Sequence, residues 1–453
     1  MDKRVFDYKK RWQISSKPKG IETAAKFQDF GTERIDPDRY TSKKFMESEW
    51  DNVWTKTWLM ACSSTDISEV GDYFNFNIGK ESIIVMRSSK NSVHAFYNVC
   101  PHRGNRLFFD DFGFVKDIAC RFHGWKFNLD GTNQKVTDSE TFREEVLCYD
   151  LDLSKVKVEE ECGFVWVSMN DNIVPVREYL GEVAKHLDLY EIDKMNVIRH
   201  AKSDWAANWK TGLESFYETY HLSFIHPQTQ GMMEDYYVPI DTWANGMNRM
   251  IVPFVEPSKR QEGGDLINEA TNIMLADVGI DPSTFDGNAV DAKKAIQKKK
   301  REFSKTFNLE YERYTDAQLT DSFVYGIFPN IQLGCHPEGV FVHKFMPHPD
   351  NPELFTYETF INYRSVDNPD YHVPGWFGLP EDTDTSGKVR PEITHYPIGV
   401  KPDLGEVLDQ DAELIPFVQD GIRSRGFKGP LWSEQELRLR HFHYQIDQYI
   451  NTK

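Results

Sequence analysis

Four side chains suited to soft metals stand in pairs at the two ends of one loop-rich stretch, NVCPHRGNRLFFDDFGFVKDIACRFHGWKFNLDG. Cys100 and His102 lie at one end, Cys120 and His123 at the other. Tetrahedral zinc takes two Cys and two His, so the ligand set alone is ambiguous. Zinc fingers usually pair like with like, whereas here each loop offers one thiolate and one imidazole. A two-iron, two-sulfide cluster with two Cys on one iron and two His on the other needs two loops of that kind, and would serve as a one-electron relay. Gly104 and Gly124 follow the pairs and would let the backbone approach such a cluster. Trp125 would shield it or simply pack in the core.

A second group lies about a hundred residues on, in NWKTGLESFYETYHLSFIHP. Read as a helix, this places Glu214, Glu218 and His221 on one face. His226, five beyond His221, would point away unless Pro227 ends the helix and lets the imidazole swing back. Two histidines and one carboxylate with open positions make the facial triad of non-haem ferrous sites. A pair of structural histidines is the plainer alternative. Cys335-His336, at a strand end, and His441-Phe-His443, on a surface helix, are read as structural.

The elements around these groups change along the chain. A helical pattern over about residues 40–60 gives way to short strands, YFNFNIG, SIIVMRS, VHAFYNV, WKFNLDG and GFVWVSM, separated by turn formers. This predicts an N-terminal segment over 1–44 and a small antiparallel β-domain over 45–165. Beyond it, a helical segment DWAANWKTGLESFYETYHLSF and strand-like runs FVYGIFPNIQLG, GVFVHKFMPH and LFTYETFINYRS predict an α+β domain over 166–453. Residues 255–310, rich in charge and ending in a lysine run, read as a solvated insertion with exposed helices. Ser433 and Glu436 fit a capping box opening an amphipathic C-terminal helix.

The sequences CPHRG and CRFHGW resemble Rieske loop signatures. Followed by NWK and E-x-Y-H-x-x-x-x-H-P, they resemble the catalytic α subunit of the Rieske non-haem iron oxygenases. The resemblance implies a small all-β Rieske domain and a helix-grip catalytic domain whose curved antiparallel sheet encloses a long helix and an apolar pocket. It implies a 2Fe-2S cluster on Cys100, His102, Cys120 and His123, and mononuclear Fe(II) on His221 and His226. The third ligand falls on Asp411 in EVLDQDAELIPFVQDGIRS, with Asp409 the alternative and helix-cap chemistry ahead of Pro416 the structural reading of both. Asn208 of NWK is carried over as a catalytic residue, and Glu218 as the relay between the two centres. Dioxygen is the implied co-substrate, with electrons from NAD(P)H through a ferredoxin or flavin reductase. A head-to-tail homotrimer, with or without a β subunit (α3 or α3β3), would bring the cluster of one subunit to the iron of the next.

Aromatic-ring dihydroxylating members usually carry Asp where this chain has Glu218. Glu there is shared with quaternary-amine monooxygenases. FIHPQT and the overall length resemble the ring-hydroxylating group, so an aromatic or other apolar substrate is expected first and a quaternary amine second. Phe216, Phe224, Tyr325 and Phe328 are candidates for a cation cage or an apolar lining. Readings from other classes are a Rieske electron carrier without catalysis and a zinc-stabilised binding protein.

The 453 residues carry 53 basic and 71 acidic side chains, a formal charge of −18 that disfavours nucleic acid and anionic membrane. No apolar run reaches membrane-span length, and MDKRVFDYKKRWQ lacks a signal-peptide core, so a cytoplasmic protein is expected. Six scattered cysteines fit thiols in a reducing compartment better than disulfides.

Overall fold

The computed structural model describes residues 25–451 apart from 27, 262–265, 367, 369 and 381. The start of the expected N-terminal segment, residues 1–24 with MDKRVFDYKKRWQ, lies outside them. A seven-stranded sheet occupies the first third, in the order 59–63, 164–168, 155–161, 92–97, 81–89, 72–78 and 112–114, entirely antiparallel. A three-stranded sheet, Ile118–Ala119, Lys126–Phe127 and Asn133–Lys135, stands beside it. The hairpin joining 72–78 to 81–89 turns on Gly79 at φ 51°, and a Cβ there would meet the Trp50 ring at 2.3 Å. Only glycine satisfies both demands.

The remainder is built on an eight-stranded sheet in the order 240–242, 248–252, 322–327, 331–335, 339–347, 355–364, 195–205 and 394–396. All its pairs are antiparallel except the last. The strand Met195–Trp205 pairs along its length with Phe355–Arg364. Its residues show the alternation of a strand, yet the reading of the sequence assigned none before the helix.

Three expectations are corrected here. DWAANWKTGLESFYETYHLSF is not one helix: Asp204 and Trp205 end a strand, a helix spans Trp209–Phe216, and a second short one spans Leu222–Ile225. The segment 266–310 is not a solvated appendage. Its helix Ala289–Phe307 buries Ala289, Ala292, Ile296, Lys300 and Ser304, and Glu269–Ala276 buries Met274 and Leu275. Most of the charges that made it look solvated occupy the outer face, while a narrow stripe of small and aliphatic residues packs inward together with Lys300, which pairs with Glu338. The helix Leu437–Ile450, opened by the Ser433/Glu436 capping box, is not a surface helix either. His441 and His443 are each 2% exposed, and Arg438 is buried against Asn248 and the Tyr217 ring.

The N-terminal helical segment staples the helix Trp209–Phe216 in place. Lys210 Nζ and Glu49 Oε1 are 2.8 Å apart, with side-chain exposures of 0% and 1%. Tyr40 donates from its hydroxyl to Glu214 at 2.8 Å, and its carbonyl accepts from Asn208 Nδ2 at 3.1 Å. The strand 59–63 is tied to the large sheet by Lys344 Nζ to Ala61 O, 3.2 Å, and Asn362 Nδ2 to Ser63 Oγ, 3.1 Å. Two apolar clusters draw on both sheets, one packing Met60 and Trp166 with Leu333 and Tyr363, the other Val85 and Val167 with Leu213 and Tyr357.

Candidate metal centres

The two loops of the first centre repeat one geometry. In each, the Cys amide donates to the carbonyl five residues on (Asn105, Trp125, both 2.8 Å), and the glycine four on returns its amide to the Cys carbonyl (both 2.9 Å). Gly104 and Gly124 both adopt φ 72°, a conformation that would strain any other residue. Each sulfur accepts backbone amides from the residues two and three further on, His102 and Arg103 for Cys100, Phe122 and His123 for Cys120. The sulfurs adjoin one another, both cysteines being buried. The His102 and His123 rings lie outside them, 4.6 Å apart between centroids, and Trp125 stacks on His102 at 4.9 Å and 3°. His102 Nδ1 is buried with no hydrogen-bond partner. Two inner thiols, two outer imidazoles and an orphaned ring nitrogen fit a mixed-ligand two-iron cluster with the imidazole iron outermost.

The second centre forms where the helix Trp209–Phe216 stops. After Phe216 the chain leaves helical geometry, and the Glu218 carboxylate takes the amides of Tyr220 and His221 on Oε2. A continuing helix would send those donors to carbonyls four residues back. Its Oε1 meets His221 Nδ1 at 2.5 Å. Glu218 and His221 therefore meet across a turn, not along a helix face. His226, the residue before Pro227, sits at φ −121°, ψ 57° and ends the next short helix, as the proline predicts. Asp235, buried, grips that helix from behind by accepting from Ser223, while its carbonyl accepts from Thr219 Oγ1 at 2.8 Å.

Asp411 comes from the interior of a 17-residue helix, Glu406–Ile422, which runs through Pro416. The ligand atoms of His221, His226 and Asp411 all lie within 4.8 Å of one another. Asp411 Oδ1 is 3.4 Å from His226 Nε2 and 3.9 Å from His221 Nε2. His226 Nε2 and Asp411 Oδ1 are buried without hydrogen-bond partners, the condition of ligands aimed at a shared cation. Both outer ring nitrogens are occupied, His221 Nδ1 by Glu218 and His226 Nδ1 by Gln410 Oε1 at 2.6 Å. This fixes Nε2 as the free lone pair on each ring. Burial alone would lower the His221 pKa, but the Glu218 and Asp411 carboxylates more than offset it and hold the imidazole above its usual value. The donor set fits a ferrous ion with open positions.

Asp409 takes the amide of Leu404 on Oδ1 at 3.0 Å, an ordinary helix-start contact on another face of the same helix. Asn208 is the buried N-cap of Trp209–Phe216. It accepts from Lys210 N at 3.0 Å and donates to the carbonyls of Tyr40 and Pro352 at 3.1 and 2.6 Å, so its side chain is committed to positioning. Gln410 was missed in the sequence, where nothing marks an amide beside a ligand until the helix is known.

A cavity of about 380 Å³ opens over the large sheet, roofed by Leu404–Leu408, one turn before Asp411. Its apolar wall is Phe254, Phe341, Phe360, Trp376 and Phe377, and its floor includes Gln332, His343 and Thr359, paired neighbours on adjacent strands. None of the cage candidates lines it. Phe216, Tyr325 and Phe328 are buried in the core, and Phe224 is 75% exposed.

Residues 192–452 match the model of the ring hydroxylating alpha subunit (catalytic domain), and residues 57–150 that of the Rieske [2Fe-2S] domain. The carnitine monooxygenase oxygenase subunit of Escherichia coli K12 is 33% identical over 193 residues, 42% of this chain and 50% of that protein. The glycine betaine monooxygenase oxygenase subunit of Pseudomonas aeruginosa UCBPP-PA14 is 28% identical over 189 residues, 42% and 44%. Benzene 1,2-dioxygenase subunit alpha of Pseudomonas putida is 30% identical over 243 residues, 50% and 51%. The chain thus spans about half the length of the curated relatives it matches. Among solved structures, a quaternary ammonium Rieske monooxygenase with L-carnitine bound superposes with TM-score 0.63 at 19% identity, over 92% of this chain and 95% of that one. Naphthalene 1,2-dioxygenase with indole bound gives TM-score 0.65 at 18%, over 94% and 93%. At these identities the superpositions establish the fold.

Proposed function

Because the chain belongs to the family of ring hydroxylating alpha subunits and carries a Rieske domain ahead of the catalytic one, we propose that it is the terminal subunit of an oxygenase, oxidising a quaternary amine with dioxygen. The observation that carries the oxygenase reading is the convergence of His221, His226 and Asp411, two of their ligand atoms buried without partners, beside a cavity roofed by the same helix. In this reading Cys100, His102, Cys120 and His123 hold the cluster, and His221, His226 and Asp411 hold the mononuclear iron. When bound, the two metals supply one-electron transfer and dioxygen activation.

The protein's own share is positional. Glu218 and Gln410 fix the imidazoles, Asp235 braces the turn between them, and Trp125 covers one cluster ligand. Glu218 also stands ready to hold a proton shared with His221 Nδ1. A quaternary amine takes precedence over the aromatic substrate expected from FIHPQT because the carnitine and betaine monooxygenase subunits are among the relatives matched, and the resemblance drawn from the sequence assigns Glu at position 218 to that group. The aromatic wall supports either ligand, since ring faces attract a quaternary ammonium as readily as they pack an arene.

Electrons would come from NAD(P)H through a reductase or ferredoxin. A trimer of this chain is favoured by apolar side chains exposed beside both centres, Phe109 and Phe122 near the cluster and Tyr220 and Phe224 beside the iron-site histidines. Among the described residues no helix is long and apolar enough to cross a membrane.

Incubation with a reductase, NADH and isotopically labelled dioxygen should convert L-carnitine, glycine betaine or choline, leaving one labelled atom in the product and the other in water. Conversion of benzene or naphthalene alone, with both atoms retained, would replace the amine by an arene. His102→Cys should move the reduced spectrum towards that of an all-thiolate cluster and lower its potential by roughly 250 mV or more. Unchanged spectra in both His102→Cys and His123→Cys would remove the cluster assignment.

A further inference from the structure

Trp376 divides two spaces. On one side is the cavity of about 380 Å³, and on the other a small void of about 20 Å³ enclosed by Met274, Val278, Ile296, Phe303 and Tyr371. The turn that carries the indole has little support of its own, only Phe377 N to Pro374 O at 3.0 Å and Gly378 N to Gly375 O at 3.1 Å. What fixes it comes from the segment 266–310. Asp277, directly after the helix Glu269–Ala276, accepts the amides of Gly375 at 2.9 Å and Trp376 at 3.3 Å. Lys300 sets its ammonium 5.6 Å from the indole centroid and pairs with Glu338 at 2.6 Å, both side chains nearly buried. On its other flank the indole meets His336 at 4.7 Å and Phe377 at 4.5 Å between ring centroids.

We propose that Asp277 and Lys300 are positioning residues for substrate selection, holding Trp376 as the back wall of the cavity and so setting its depth. The inference rests on the reading that this cavity takes the substrate. Without the two amide acceptors the turn loses its outside anchor, and the indole can tilt into the void behind it. A pocket that deepens by part of a ring loses contact with a small ligand and admits a longer one. The charged segment that reads in sequence as surface decoration then governs which molecule reaches the iron.

The test uses the metal-loaded protein, with KM and kcat measured on L-carnitine, glycine betaine, choline, indole and naphthalene. Asp277→Ala should raise KM for the parent's preferred substrate about tenfold and move preference towards the longer members of the panel. Its kcat should change less than about threefold, because no group at the iron is touched. Asp277→Asn keeps an oxygen for the amide of Gly375 but turns an NH2 towards that of Trp376, so its shift should fall between the parent and Asp277→Ala. Trp376→Leu removes the wall directly and should shift preference the same way, which keeps the test open should Asp277→Ala fold poorly. An unchanged KM and order in both Asp277→Ala and Trp376→Leu would overturn the proposal. A parent that prefers indole or naphthalene defeats the quaternary-amine reading but leaves this inference standing on the variant shift. A parent selective for amines with unshifted variants defeats this inference alone.

Discussion

Asp411→Ala will lose the mononuclear iron and all turnover while the protein keeps the red-brown colour of its cluster. Iron content should fall from about three to about two atoms per chain, and acid-labile sulfide should stay constant. Among the described residues Asp411 Oδ1 is the carboxylate oxygen that approaches both Nε2 atoms, at 3.4 and 3.9 Å, and it is buried without another partner. Without it, two neutral imidazoles remain, and two uncharged ligands lacking the carboxylate of the facial triad make a weaker ferrous site. Asp409→Ala is the control. Its carboxylate serves the amide of Leu404, so the variant should keep both metals and lose only about 1 kcal/mol of stability. Loss of iron from Asp409→Ala and not from Asp411→Ala would move the third ligand by two residues.

The sequence left that choice open for a physical reason. Asp409 and Asp411 differ by two positions, which on a helix is a rotation of about 200° and therefore decisive, but only once the helix is known. Pro416 argued for a helix starting near it, because proline is favoured in a first turn. The helix in fact starts at Glu406 and carries the proline inside, so both aspartates lie within it and neither is its cap. The two-loop centre was far more legible. Its ligands, glycines and tryptophan lie within 26 residues, and local turn geometry alone sets their relations. His221 and His226 were legible for the same reason, with Pro227 announcing the bend. The cavity was not. Its walls come from strands and loops between Arg199 and Leu408, joined only by sheet register, so the aromatic residues nearest the histidines were the natural guess, and none of them lines it.

Glu218→Gln should retain both metals and bind substrate, yet reoxidise a previously reduced cluster about a hundredfold more slowly after oxygen is added. Turnover should fall by a similar factor. Glu218 is 9% exposed and its two oxygens serve three N–H groups, the His221 ring and the amides of Tyr220 and His221. Glutamine keeps the length and one acceptor oxygen. It removes the charge that would hold a proton at His221 Nδ1, and turns an amide NH2 towards donors. Iron analysis separates the two consequences. A site that keeps its iron and loses its rate points to the charge, whereas a site that loses iron points to a collapsed turn. Normal turnover in Glu218→Gln would reduce the residue to a local cap and remove it from the path between the centres.

The buried pair of Lys210 and Glu49 bears on how such proteins can be recombined. The Rieske match begins at residue 57 and the catalytic match at 192, which invites a cut between them and the exchange of one half for another. Glu49 lies before both. A chimera joined at residue 57 would bring a foreign leading segment to a lysine that is 0% exposed and would keep only the more distant Glu214, and an ammonium stranded in that way costs about 3–5 kcal/mol. The transplantable unit is therefore discontinuous: residues 36–56 travel with the iron-binding half, although the Rieske half separates them from it along the chain.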